Sequence, residues 1–378
     1  VRRVSAWVDR WIFERYTASP ADLGAYRIAY ALFVLLAMVP VAPWLGCEPA
    51  AFFSPPAGPA ALFGGFAPGW LMLALNCALA VLLALLLVGW RTRWVSAGTG
   101  VLLLALKACE YADGKINHDI LLVLLPLLLA ASGWGRTWSL DAARAREADA
   151  GTPRPSWPLA LLAFVIGAAM LWAGALKLLT GWADPEVHAT YGHLVANNLG
   201  TGRSTWPSGL ALATDSGWLW KPADWLTLAL EVGFVATVFH PRALRLAISV
   251  ACLFHLATWL LFDIVFSPNL IAYGAFVAWG PGLAARARGE RLAFRDGALR
   301  PRAAVLALAG AAAAGAVAIA AGRPLEALLG LQLNEALVVA GALLGGRYLL
   351  ATAGARLVRR RGRAGRTHAS GNAEAGPE

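Results

Sequence analysis

Residues Leu171–Trp182 read LWAGALKLLTGW, the close of an apolar segment that begins near Trp157 and ends on a lysine where hydrocarbon would be expected. A run of this length and composition is a membrane-crossing helix. Lys177 lies about a turn from its far end. An ionisable side chain within a bilayer costs roughly 3 kcal/mol on insertion scales, so it marks a functional site unless it snorkels to the interface. Its meaning depends on which other polar groups share its depth.

Composition agrees with a membrane setting. The 378 residues are 59% hydrophobic and only 14% charged, with 17 tryptophans, against about 25% charged in soluble domains. The chain therefore reads as an all-α, polytopic membrane bundle whose first partner is membrane lipid. Its net charge of +10 is a topology signal, since the arginines lie between apolar runs and no nucleic-acid motif accompanies them. No nucleic-acid partner is expected.

Apolar runs follow at roughly 22–44, 68–90, 94–111, 118–135, 157–179, 222–239, 243–262, 264–282, 302–321 and 334–355, which gives about ten crossings. Residues 1–17 place Val4, Trp7, Val8, Trp11 and Ile12 on one helical face, as an interfacial amphipathic helix does. Residues 18–285 form the main transmembrane domain and 286–358 a C-terminal pair of helices. The basic stretch 359–378 is expected to be disordered.

The arginines fix an orientation. One set of loops holds Arg2 to Arg15, Arg91 and Arg93, Arg136 to Arg154, Arg242 and Arg245, Arg286 to Arg302, and Arg356 to Arg366. The alternate loops hold only Lys115, Arg203, Lys221 and Arg323. By the positive-inside rule both termini are cytoplasmic. The alanine- and arginine-heavy composition suits a bacterial inner membrane. Residues 141–156 form a charged inner linker, and 181–221 the longest outer segment, with His188, Tyr191, His193, Asn197 and Asn198 on an amphipathic or re-entrant helix.

With orientation assigned, several polar groups fall in the outer half of the membrane: Lys107 and Glu110 at the end of the third run, Asn117, His118 and Asp119 at the start of the fourth, Lys177, Glu231 and His255. Each has an ordinary structural reading. Asn117 and Asp119 can cap a helix, Lys107 and Glu110 can neutralise one another at i,i+3, and His255 can be a hydrogen-bonded core histidine. Glu231 is the hardest to dismiss, because a mid-membrane carboxylate needs a Lys or His from a neighbouring helix. Together they point to a polar pocket supported by Glu231, Lys107 and Glu110. His118, His255 and a carboxylate lack helical ligand spacing, so no metal is expected. Nor is there a nucleotide-binding glycine loop, an HExxH or a GxSxG. The four cysteines form no CxxC, and pairing of Cys47 with Cys109 stays open.

Four stretches carry a family resemblance: LGAYRIAYALFVLL, INHDILLVLLPLLLAASGWGRTWSLDA, LWAGALKLLTGW and FHLATWLLFDIVFSPNLIAYGAF. Over roughly residues 10–285 the chain resembles the HTTM (horizontally transferred transmembrane) domain shared with vitamin K-dependent gamma-carboxylase. That enzyme oxidises vitamin K hydroquinone with O2 and uses the strong base so generated to deprotonate a peptide glutamate, which takes up CO2. The resemblance implies catalytic Lys177, His118 and His255, with Lys177 deprotonating the hydroquinone and Asn117 and His118 beside the bound quinone. The implied cofactor is reduced vitamin K or a menaquinol, entering from the bilayer, and the implied substrate lies on the outer side. An apolar pocket suits such chemistry, since it shields a reactive oxyanion from water. Leu176 precedes Lys177 where the carboxylase has adjacent lysines. Residues 285–378 offer two apolar runs and a tail where the carboxylase has its large lumenal domain, so animal-type protein carboxylation is not the expectation.

Two other classes remain open. A transporter or channel also places polar groups at depth, though they cluster here in one half of the membrane. A non-catalytic scaffold would use Lys177, Glu231 and His255 as a structural ionic network.

Overall fold

A computed structural model describes residues 2–114, 116–145, 153–202, 205–214, 217–279, 294–295 and 298–371, with side chains of the last helix described as far as Ala355. The middle of the 141–156 linker, Lys115, Arg203, Arg286 to Arg291 and the final residues 372–378 lie outside that set.

The described chain is almost wholly helical. α1 (Arg2–Phe13) precedes α2 (Pro20–Ala37), α3 (Gly69–Val88), α4 (Thr92–Tyr111), α5 (Ile120–Leu129), α6 (Leu140–Ala145) and α7 (Trp157–Leu179). There follow α8 (Ala189–Thr201), α9 (Trp206–Leu212), α10 (Gly217–Thr237), α11 (Pro241–Phe262), α12 (Ser267–Gly274), α13 (Pro301–Ala321), α14 (Leu325–Leu328) and α15 (Leu333–Gly371). Thr17–Ala18 pairs with Arg154–Pro155 as a two-residue antiparallel bridge.

Among the described residues, six helices are long and apolar enough to cross a membrane: α2, α3, α7, α11, α13 and Leu333–Ala355 of α15. This differs from ten equivalent runs for identifiable reasons. α4 and α10 have the length but carry Arg93, Lys107 and Glu110, or Lys221, Asp224 and Glu231. The run 118–135 yields a helix of 10 residues containing Pro126, and 264–282 one of 8 residues; a crossing needs about 20. α15 continues to Gly371, through the stretch expected to be a disordered tail from Arg359. Arginine and alanine are good helix formers, and no proline interrupts them.

α2 is the central post. Ser19 caps it by accepting from the Asp22 amide, with Pro20 at the first turn. Leu23, Tyr26, Arg27, Tyr30 and Val34 are all buried. The Tyr26 hydroxyl donates to the Ile271 carbonyl at 2.6 Å and the Tyr30 hydroxyl to the Leu122 carbonyl at 3.0 Å, which tie α2 to α12 and α5. Small residues let the other helices close in. A Cβ at Gly315 would stand 2.9 Å from the Ala80 Cβ, between α13 and α3, and one at Gly345 would meet the Ser249 carbonyl at 2.8 Å, between α15 and α11.

The arginine-bearing connections contact one another. Arg27, fully buried, donates to the carbonyls of Trp134, Thr137 and Trp138. Asp141 accepts from the amides of Arg91 and Thr92, and Arg15 donates to the Phe239 carbonyl. The alternate connections are likewise tied together: Ser54 to Ala112, Asn197 to Phe262, Lys221 to Trp182 and Ser267 to Asn334. Cys47 and Cys109 are free thiols.

Candidate functional site

The site begins where α7 and α10 approach most closely. A Cβ at Gly174 would lie 3.0 Å from the Glu231 Cβ and 2.8 Å from Val232 Cγ2, and one at Gly167 would lie 2.5 Å from Val238 Cγ1. Two glycines seven residues apart therefore bring the helices together along one stripe. One turn beyond Gly174, Lys177 reaches across: its Nζ lies 2.6 Å from Glu231 Oε1 and 2.7 Å from Oε2. The partner that a mid-membrane carboxylate requires is thus Lys177, held by both oxygens.

The pair is asymmetric in exposure. The Glu231 side chain is 7% exposed and that of Lys177 26%, so the carboxylate is sealed between helices while the amine faces outward. It faces a groove of about 640 Å³ lined by Leu176, Lys177, Trp182, Gly192 and His193, among others. Lys177 Nζ also lies 5.3 Å from the centre of the Trp182 ring, which in turn packs on His193 at 5.4 Å. Cation–π contact of this kind holds an ammonium without closing it from solvent.

The far wall of the groove is α8, positioned from α10. Asp224, completely buried, accepts from the amides of Ala189 and Thr190 at 3.1 and 2.7 Å. It thereby caps α8 from another helix. Lys221 pairs with Asp224 at 2.9 Å and donates to the Trp182 carbonyl. Lys221 and Asp224 therefore fix both the helix and the tryptophan that frame the amine.

His118 and His255 come together around an unforeseen residue. The Phe266 ring lies 4.6 Å from His118, tilted against it, and 4.8 Å from His255, on which it stacks. His255 Nε2 is 3.2 Å from the Tyr273 hydroxyl, while its buried Nδ1 has no hydrogen-bond partner. Tyr273 stacks on Phe234, one turn along α10 from Glu231. α10 thus joins the histidine–aromatic cluster to the lysine pair. Asn117 is exposed, and its carbonyl accepts from the Ile120 amide as α5 begins.

Lys107 and Glu110 pair at 2.7 Å, as i,i+3 spacing suggests, but Lys107 also binds Asp119 at 2.6 Å. The Tyr111 hydroxyl donates to Asp119 at 2.6 Å. Asp119 makes no side-chain cap on α5; its carboxylate staples α4 to α5 beside His118.

The sequence reading did not assign roles to Trp182, His193, Phe266, Tyr273, Asp224 or Arg27. Asp224 and Arg27 carried a usable signal, being charged residues inside otherwise apolar helices. Phe266 carried none, because it sits in the turn before α12 and belongs to no helical stripe.

An all-helical chain with six potential crossings and ion pairs sealed between its helices is an integral membrane protein. The family model described as the HTTM domain matches residues 16–277. The chain belongs to the HTTM domain family. No curated protein and no solved structure gives a match.

Proposed function

We propose that this protein is a membrane-embedded, quinol-dependent enzyme of the carboxylase type, with the Lys177–Glu231 pair as its proton-handling unit. The observation that carries the reading is the bidentate pair at the wall of a groove: the amine is presented while its counter-charge stays buried. A proton on the amine has either oxygen of Glu231 within 2.7 Å as an acceptor, so the pair works as one unit.

A quinol fits the residues present. Small-molecule sites are typically some 300–1,000 Å³, mostly apolar, with a few placed polar groups; the groove has that size, one amine, and two aromatic rings for stacking. Lys177, Trp182 and His193 line the groove and would hold the head group. Asn117 and His118, which the resemblance sets beside the quinone, and His255 lie outside that lining, with His118 and His255 in the aromatic cluster that α10 joins to the lysine pair. When bound, a reduced vitamin K or menaquinol supplies the electrons for O2 and the strong base that follows. The chain's own residues would orient it, and the pair would accept its proton once the ammonium of Lys177 has passed one to Glu231. The substrate deprotonated, and possible acceptor of CO2, belongs to the outer side.

The arrangement belongs with about ten crossings, α4 and α10 among them, since paired charges let such helices enter the bilayer. Both termini then face the cytoplasm of a bacterial inner membrane. The mutual contacts of the arginine-rich connections support that orientation.

The scaffold reading has one observation in its favour, the Lys107–Asp119–Tyr111 staple, which joins helices without facing the groove described. Menaquinone binding distinguishes the two. Gly192 lines the groove and a Cβ there meets nothing within 4 Å, so the side chain of Gly192→Phe can start into the groove without a backbone clash. It should weaken menaquinone binding about tenfold or more while leaving the melting curve unchanged. Undiminished binding in that variant would remove the groove from the account.

A further inference from the structure

A second cavity, of about 440 Å³, opens at the end of the bundle opposite the lysine site. Its walls are the start of α4, the turn after α5, α6 and Arg154, and its charged lining is Arg93, Arg136, Arg154 and Asp141. Asp141 is already engaged: it accepts from the Arg91 amide at 2.8 Å, the Thr92 amide at 2.6 Å and the Thr92 hydroxyl at 2.7 Å. Among the described residues, Arg93, Arg136 and Arg154 line the cavity, and the one carboxylate in that lining, Asp141, is turned to the start of α4.

The turn forming the floor is rigidly placed. Arg27 draws the carbonyls of Trp134, Thr137 and Trp138 beneath it, and a Cβ at Gly135 would stand 2.3 Å from Thr92 Oγ1. The buried arginine occupies those carbonyl acceptors, which would otherwise oppose an anion. Arg93 and Arg136 are both exposed at the rim.

We propose that this cavity binds a phosphate group, and that the phosphate is the head group of an anionic lipid. Guanidinium groups bind phosphate through charge-assisted, often bidentate hydrogen bonds. Two observations favour a lipid over a free anion. The cavity lies where the arginine-rich connections gather, the level at which basic pockets between helices meet anionic head groups. From its rim the outer face of α4 continues as exposed apolar surface at Trp94, 73% exposed, and Val101, 60%, along which acyl chains can run.

The test is native mass spectrometry of the full chain in neutral detergent, titrated separately with phosphatidylglycerol, phosphatidylcholine and inorganic phosphate. Wild type should retain one phosphatidylglycerol in preference to phosphatidylcholine, and the double variant R93Q/R136Q should retain it about tenfold less or weaker still. Both positions are exposed, so folding should survive; Arg323→Gln, on the other set of loops, serves as a control for the loss of an arginine elsewhere and should bind as wild type. Retention of inorganic phosphate that R93Q/R136Q abolishes, without lipid preference, would support the phosphate site and overturn the lipid source. Equal retention of both lipids, equal binding by R93Q/R136Q and wild type, or equal loss in Arg323→Gln would overturn the site itself.

Discussion

Lys177 of α7 and Glu231 of α10 share both carboxylate oxygens at 2.6 and 2.7 Å, and of the two side chains only the lysine meets the groove. Removing one partner of such a pair leaves the other charge stranded, whereas removing both does not. Glu231→Leu should therefore lower stability by about 3 kcal/mol, while Lys177→Met combined with Glu231→Leu should recover most of the loss. Thermal melting in detergent checks this. Additive losses in the double variant would show that the two groups are not coupled.

The glycine contact that sets up this pair makes a sharper prediction. A side chain at Gly174 meets the backbone amide of Val232 at 3.0 Å as well as Glu231, and backbone cannot swing aside. Gly174→Val should cost about 1–3 kcal/mol and disturb the ion pair with it. Gly233→Ala, on α10 but with nothing within 4 Å of the added carbon, should be neutral or stabilising by up to about 1 kcal/mol. Paired melting curves decide, and equal effects at both positions would contradict the close approach.

The staple at the head of α5 should behave as structure. Tyr111→Phe removes one hydrogen bond to the Asp119 carboxylate and should cost about 1.5–3 kcal/mol without altering menaquinone affinity. A selective loss of quinone binding with normal stability would move this cluster into the functional site.

These contrasts also mark how far the sequence could be read. That Glu231 needs a Lys or His from another helix follows from the cost of a lone charge in hydrocarbon; which one was left open, and the structure supplies Lys177. The apolar runs and the arginine pattern announced a helical bundle because both are written locally, residue by residue. The turn residues were less legible. Phe266 meets two histidines from two other segments, a coincidence of tertiary packing that no spacing encodes. Asp119 looked like a cap and proved to be a bridge, since its choice between the α5 amides and Lys107 depends on where α4 ends. α5, at 10 residues, and α12, at 8, are each shorter than the apolar run that contains them, because apolar length alone does not show where a helix starts and stops.

Outside the membrane, Glu326 in α14 gives a pH dependence. It accepts from Asn334 at 2.6 Å, its other oxygen is buried without a partner, and burial followed by the nearby Glu335 raises it above the ordinary carboxylate range. A group raised by folding contributes stability at low pH and loses it as pH climbs through its folded value. Glu326→Gln should therefore melt at or above wild type at pH 7, and the two should converge below about pH 4. A variant less stable than wild type at neutral pH and equal to it in acid would reverse the sign.

The central claim concerns the amine itself. The most direct measurement is O2 uptake and epoxide formation by detergent-purified protein given reduced vitamin K or a menaquinol, with wild type compared against Lys177→Ala and against Lys177→Arg, which retains a cation opposite Glu231. The account predicts turnover in wild type and its loss in both variants, with folding of Lys177→Arg preserved. Undiminished turnover in Lys177→Ala, or a wild type that neither turns over nor binds quinone, would contradict it.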